Sequence, residues 1–150
     1  MSLPFLRPQS LGWVALGGTA GAAAREAVIL LMPDAGHLPW AVVLANVVGA
    51  FLLGLLYAAL ATTQAGVPRG RRLRLLLGTG FCGGFTTYST LALGVVLLAG
   101  SGPGGMYWAA AYALGTVFLG ALATWAGTAV GAMAAPQAGK IAAPSDGGRP

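Results

Sequence analysis

Between Leu75 and Ala99 an apolar run is interrupted by Gly78-Thr79-Gly80-Phe81-Cys82-Gly83-Gly84-Phe85-Thr86-Thr87-Tyr88-Ser89-Thr90-Leu91. Glycines and hydroxyls stand where a membrane helix would carry leucines. Inside a bilayer, backbone N–H and C=O groups find no water, so non-helical backbone persists only when buried in protein or lining a polar cavity. Two structures fit the stretch. Either the helix continues with a kink and its Thr and Ser side chains bond back to their own carbonyls, or Gly83–Thr86 breaks it. A break frees carbonyls and hydroxyls to stand in for an ion's hydration shell. The chemistry this suits is solvation of an ion stripped of water, with no covalent bond made or cut. One His, one Cys and three acidic residues in the whole chain furnish no catalytic set. Cys82 reads as a small buried filler and His37 as a wet loop residue.

The elements that must carry this stretch follow from composition. Of the 150 residues, 57% are hydrophobic and 7% charged, against roughly 25% charged in soluble domains. Four apolar stretches, about 11–32, 39–62, 75–99 and 107–135, each reach the roughly 20 residues that cross a hydrocarbon core of about 30 Å. The predicted fold class is all-α integral membrane, four transmembrane helices with a break in the third. Residues 1–10 form an N-terminal lead, 11–135 the membrane domain and 136–150 a tail expected to be disordered and cytoplasmic. The first stretch is too long for a signal peptide. With both termini on one side, that side receives Arg7, Arg69, Arg71, Arg72, Arg74, Lys140 and Arg149, while the other receives Asp34 and His37 and no Lys or Arg. The positive-inside rule then puts both termini, and an arginine-rich loop at Thr62–Arg74, in the cytoplasm, in a multi-pass protein of the inner (plasma) membrane. The arginine cluster could also hold anionic lipid head groups.

Other polar residues at membrane depth are few. Gly17 and Gly21, four apart, offer a small-residue face for close helix approach. Arg25 and Glu26 lie in the second half of the first stretch, where a charge needs a partner or water. Arg25 fits either local pairing with snorkelling or the mouth (vestibule) of an anion pathway. Asn46 is either interhelical glue or a donor aimed into a pore. Tyr112, Thr116 and Gly120 recur at four-residue spacing on one face of the last stretch. Trp125, Gly127 and Gly131 read as a packing surface on the same helix.

Taken together, Gly17-Gly18-Thr19-Ala20-Gly21-Ala22-Ala23-Ala24-Arg25, Ala45-Asn46-Val47-Val48-Gly49 and Gly80-Phe81-Cys82-Gly83-Gly84-Phe85-Thr86-Thr87-Tyr88-Ser89-Thr90 resemble the fluoride channel family, Fluc or CrcB, over roughly Leu11 to Met133. The resemblance implies half of an antiparallel dimer with two pores along the subunit interface. It implies a structural, untransported Na+ at the dimer centre, held by the backbone carbonyls of Gly83 and Thr86. It makes Asn46 the pore asparagine, Ser89, Thr90 and Thr116 the lining of a polar track, and Tyr112 its phenolic neighbour. Tyr88 and Leu91 occupy the positions of two phenylalanines whose ring edges face the anion in related channels. Val42 stands where a threonine is usual, and Gly120 where Ser or Thr is usual.

The expected function is passive export of fluoride from the cytoplasm, reducing its toxicity. The strong charge bias argues for one fixed orientation, and hence for pairing with a related, oppositely inserted chain rather than with a copy of itself, although a homodimer is possible. Two alternatives stand beside this. One is a proton-coupled small multidrug transporter with Glu26 as its titrating carboxylate; the other is a non-conducting partner subunit. The fluoride ion and the lipid bilayer are the other expected partners, and nucleic acid is not one.

Overall fold

A computed structural model describes residues 8–32, 38–61 and 68–134. His37, Asp34, Arg7, Lys140, Arg149 and the expected tail at 136–150 lie outside the described residues. Helix α1 runs Pro8–Leu31 and α2 Trp40–Ala59. The third crossing is composite: α3 Pro68–Leu73, a π-helical segment Arg74–Cys82, a single turn α4 Gly83–Phe85 and, after a gap, α5 Ser89–Ala99. Helix α6 spans Gly105–Ala134. Four stretches are long and apolar enough to cross a membrane: Pro8–Leu31, Trp40–Ala59, Arg69–Ala99 and Gly105–Met133. Among the described residues the protein is all-helical.

Glycine decides which helices touch. Helix α1 packs on the π segment and α4, and α2 packs on α6. A Cβ on Gly17 would sit 2.0 Å from the Leu76 carbonyl oxygen and 2.9 Å from the Phe81 nitrogen. Those two groups are five residues apart, the pairing interval of a π-helix, so Gly17 lies against the widened turn itself. Gly84 in turn would drive a Cβ to 2.2 Å from the Gly18 oxygen. Across the other pair, Gly127 meets the Phe51 oxygen and Gly131 the Leu55 oxygen at 2.1 and 2.4 Å in the same construction. Without a hydrophobic drive between helices in lipid, such backbone-to-backbone approach supplies the packing. Trp125, expected on that surface, instead faces outward at 72% exposure.

Three sequence expectations need adjustment. Helix α1 begins at Pro8, three residues ahead of the expected Leu11, because proline suits the first helical turn. Thr62–Arg74 is not a loop throughout, since Pro68 starts α3 in the same way. Its arginines then reach back to the neighbouring helices: Arg71 Nη2 donates to Ser10 Oγ at 3.4 Å, Arg74 Nη2 to the Leu60 carbonyl, and Arg72 lies over the Trp13 ring. The π segment had no counterpart in the sequence pattern. The tight turn before α6 is made by Gly102 and Gly104, both at positive φ.

Because the α1–α4 contact is backbone against backbone, Gly84→Ala should cost at least the about 1–3 kcal/mol typical of overpacking. The check is thermal unfolding of the purified protein in detergent. Gly12→Ala, away from the break and with nothing within 4 Å of its built Cβ, should leave the melting temperature unchanged.

Candidate functional site at the helix break

The third crossing stops being helical at Thr86, whose φ and ψ of −78° and 155° are extended. Its N–H still closes the last turn on the Cys82 carbonyl at 2.9 Å, and its hydroxyl donates to the same oxygen at 2.8 Å. Thr87 then leaves the ladder. Its N–H, which in a continuous helix would bond the Gly83 carbonyl, donates to Asn46 Oδ1 at 2.8 Å, while Asn46 Nδ2 donates to the Thr87 carbonyl at 3.1 Å. Because a peptide N–H only donates and a carbonyl only accepts, this pair fixes which way the Asn46 amide points. Gly49, one turn along α2, gives the break its room: a Cβ there would lie 2.3 Å from the Thr86 methyl. Thr87 also restarts the helix. Its Oγ1 accepts from the Thr90 N–H at 3.3 Å and donates to Thr90 Oγ1 at 3.1 Å, with Ser89 Oγ 3.3 Å away, the arrangement of a helix N-cap.

Arg25 closes the other side. Nη1 donates to the Gly84 carbonyl at 3.0 Å and reaches the Thr86 carbonyl at 3.4 Å. These are orphan carbonyls at a helix C-terminus, where the dipole favours a cation. Arg25 thus spends its charge on the break, and Glu26 beside it is exposed. The Gly83 carbonyl, having lost the Thr87 N–H, lies on an exposed residue. Carbonyl oxygens of this kind fit a hard cation such as Na+ in donor type. One chain offers few of them, and Thr86 shares its oxygen with Arg25.

Asn46, Thr86, Thr87 and Thr116 line a cavity of about 280 Å³, completed by Tyr88, Leu91 and Val117. The Thr116 hydroxyl donates to the Tyr112 carbonyl at 2.6 Å. With the hydroxyl protons of Thr86, Thr87 and Thr116 all committed, the second amide N–H of Asn46 and the Tyr88 hydroxyl are the lining side-chain donors left unspent. Thr116 also borders a second cavity of about 250 Å³ between α2 and α6, together with Tyr112, Trp40 and Trp108. Tyr112 is 4% exposed, its hydroxyl has no partner among the described residues, and its ring lies against Gly94.

Of the candidate residues, the fold therefore gathers Asn46, Tyr88, Leu91 and Thr116 around one cavity and puts Tyr112 on the next. Ser89 and Thr90 cap the restarting helix beside it. Ser89 and Tyr88 are exposed on the single chain, Tyr88 at 83%. Val42 is buried one turn before Asn46. Thr87 was not among the candidates, although its spacing from Thr90 is a helix-start signal. Phe85, buried and stacked on Phe81 with ring centroids 5.7 Å apart, is the other.

Replacing Asn46 by Ala strips a donor and an acceptor from a partly buried peptide unit, at about 1–3 kcal/mol for each group left unpaired. Amide hydrogen exchange at Thr87 should accelerate markedly in Asn46→Ala, while exchange in the middle of α6 stays as it was.

The family described as CrcB-like protein, Camphor Resistance (CrcB), matches residues 12–128 of this chain. Among curated relatives, the fluoride-specific ion channel FluC of Deinococcus radiodurans is 44% identical over 124 residues, covering 80% of this chain and 93% of its own. FluC 1 of Cutibacterium acnes is 41% identical over 122 residues, covering 79% and 82%. FluC 1 of Mycobacterium tuberculosis is 40% identical over 116 residues, covering 77% and 84%. The matched span holds the Asn46 clamp, the Arg25 contact and the whole broken crossing, and the chain belongs to the CrcB (FluC) family.

Proposed function

We propose that this chain is a subunit of a fluoride-selective channel that lets the anion leave the cytoplasm passively, with no chemical step. The observation that carries the proposal is the clamped break: Asn46 holds the Thr87 peptide and keeps one amide N–H for the cavity. Fluoride is small and tightly hydrated, so a path for it must exchange water for close, strong donors. The Asn46 amide, the Tyr88 hydroxyl and the threonine hydroxyls around the cavity are such donors once the anion draws their protons away from carbonyls. The N-terminal end of α5 opens beside the same cavity and adds the favourable end of a helix dipole. Larger, softer halides gain less from the same donors. The driving force is electrical as well as chemical, since a negative interior favours anion exit by about 2.3 kcal/mol per charge per 100 mV. The names of the curated relatives support the choice of ion.

The single chain leaves Thr79, Gly83, Tyr88 and Ser89 exposed at membrane depth. Lipid offers no partner to a freed carbonyl, so this face calls for a second subunit. An antiparallel dimer would bring two breaks together, and the Gly83 and Thr86 carbonyls of both chains would then supply a four-oxygen set for a structural Na+. The seven-to-none distribution of basic residues favours one orientation, with both termini cytoplasmic in the plasma membrane, and an oppositely inserted relative as partner. The partner would bring the aromatic edges that Leu91 lacks.

Purified protein in liposomes, followed with a fluoride electrode and a chloride control, tests this directly. Fluoride efflux should appear with the paired chain present and chloride efflux in neither case. Equal chloride flux would refute selectivity, and full fluoride flux from this chain alone would refute obligate pairing. In the same assay Asn46→Asp, which puts a negative charge at the unspent donor, should abolish efflux, and Leu91→Phe should raise it.

A further inference from the structure

Away from the break, the arginine-bearing end of the molecule holds a groove that the channel function does not use. We infer that it binds the head group of an anionic phospholipid, with a lipid chain running down α1. Gln9, Gly12, Trp13 and Leu16 recur at intervals of three and four along α1 and so share one face, and Arg72 of α3 completes the groove, which holds about 380 Å³. That volume falls in the about 300–1,000 Å³ range of small-molecule sites. The Arg72 guanidinium lies over the Trp13 ring, 6.0 Å from its centroid. A contact of this kind with the ring face uses none of the guanidinium's N–H donors, which suit a phosphate.

The chemistry of the groove is graded along the membrane normal. Its upper end is the guanidinium, the Gln9 amide and the start of a helix; its lower end is the exposed Leu16 side chain, 65% open. None of the lining residues is acidic. Gly12 lines the groove, and a Cβ built on it would meet nothing within 4 Å, so a larger side chain there has open space to occupy. A soluble phosphate would use the upper end and leave the apolar half bare. A phospholipid fills both, and an anionic one matches a positively charged end that also carries Arg69, Arg71 and Arg74. Basic pockets of this kind beside membrane helices suit the anionic lipids of the cytoplasmic leaflet. The inference is independent of the ion conducted.

The test is native mass spectrometry of the purified protein in detergent, titrated with phosphatidylglycerol or with phosphatidylcholine of the same chain length. The wild type should retain phosphatidylglycerol preferentially. Arg72→Gln should lower that preference about fivefold, one basic residue's share of attraction to an anionic lipid. Gly12→Leu keeps every charge but fills the groove, and should lower retention of phosphatidylglycerol as well. Arg69→Gln, an exposed position that does not line the groove, should lower it less than Arg72→Gln does. Equal loss in Arg69→Gln would overturn the site in favour of diffuse surface charge, as would undiminished binding in Gly12→Leu. Displacement of the lipid by excess inorganic phosphate would show a phosphate site and also overturn it.

Discussion

A peptide unit that leaves a helix inside a membrane must find a donor and an acceptor at once, and Asn46 is the one side chain placed to give the Thr87 peptide both. The other features around the break depend on that exchange. The Thr87 N–H can desert the Gly83 carbonyl only because an amide oxygen waits 2.8 Å away on α2. Once it has done so, Gly83 presents an unclaimed oxygen and the Thr87 hydroxyl is free to begin α5. Arg25 meets the complementary demand from the other side by taking the carbonyls of Gly84 and Thr86. Two polar side chains from two different helices therefore stabilise one interruption.

The same two contacts explain why the packing is built on glycine. Arg25 and Asn46 reach the break only if α1 and α2 lie close to it, and both helices approach through missing side chains. Gly17 and Gly21 admit the π segment and α4 to the face of α1 that leads to Arg25, and Gly49 admits Thr86 beside Asn46. A leucine at any of these sites would be unobjectionable to lipid yet would hold the polar groups out of reach. Small residues here act at a distance on the break, through the spacing of the backbones around it.

The arrangement also separates two kinds of charge. Arg25 stands at the break, where it is held by carbonyls rather than by an acid. The arginines of α3 and the start of the π segment gather at one end, where they tie this part of the third crossing to the first turns of α1 and to Leu60, the residue that follows α2. One set shapes the break. The other anchors the end of the molecule. Both uses follow from the guanidinium's several donors in one plane.

Much of this was legible in the residues alone. Length, hydrophobicity and the scarcity of charge fixed four crossings, because a chain this apolar has no other way to be stable. The Gly83-Gly84 and Thr86-Thr87 pairs marked the place as either a kink or a break, and the extended backbone at Thr86 makes it a break. Asn46 stood out for want of any other amide at membrane depth. Partners were not legible. Of the two readings of Asn46, the structure shows the interhelical one, a clamp on the Thr87 peptide 41 residues away. That Arg25 would turn to Gly84 rather than to its neighbour Glu26 depends on a contact 59 residues away in sequence. The π turn, the capping role of Thr87 and the outward face of Trp125 depend likewise on which helix lies alongside. Periodicity reports the direction a residue faces on its own helix; only tertiary packing decides what stands opposite it.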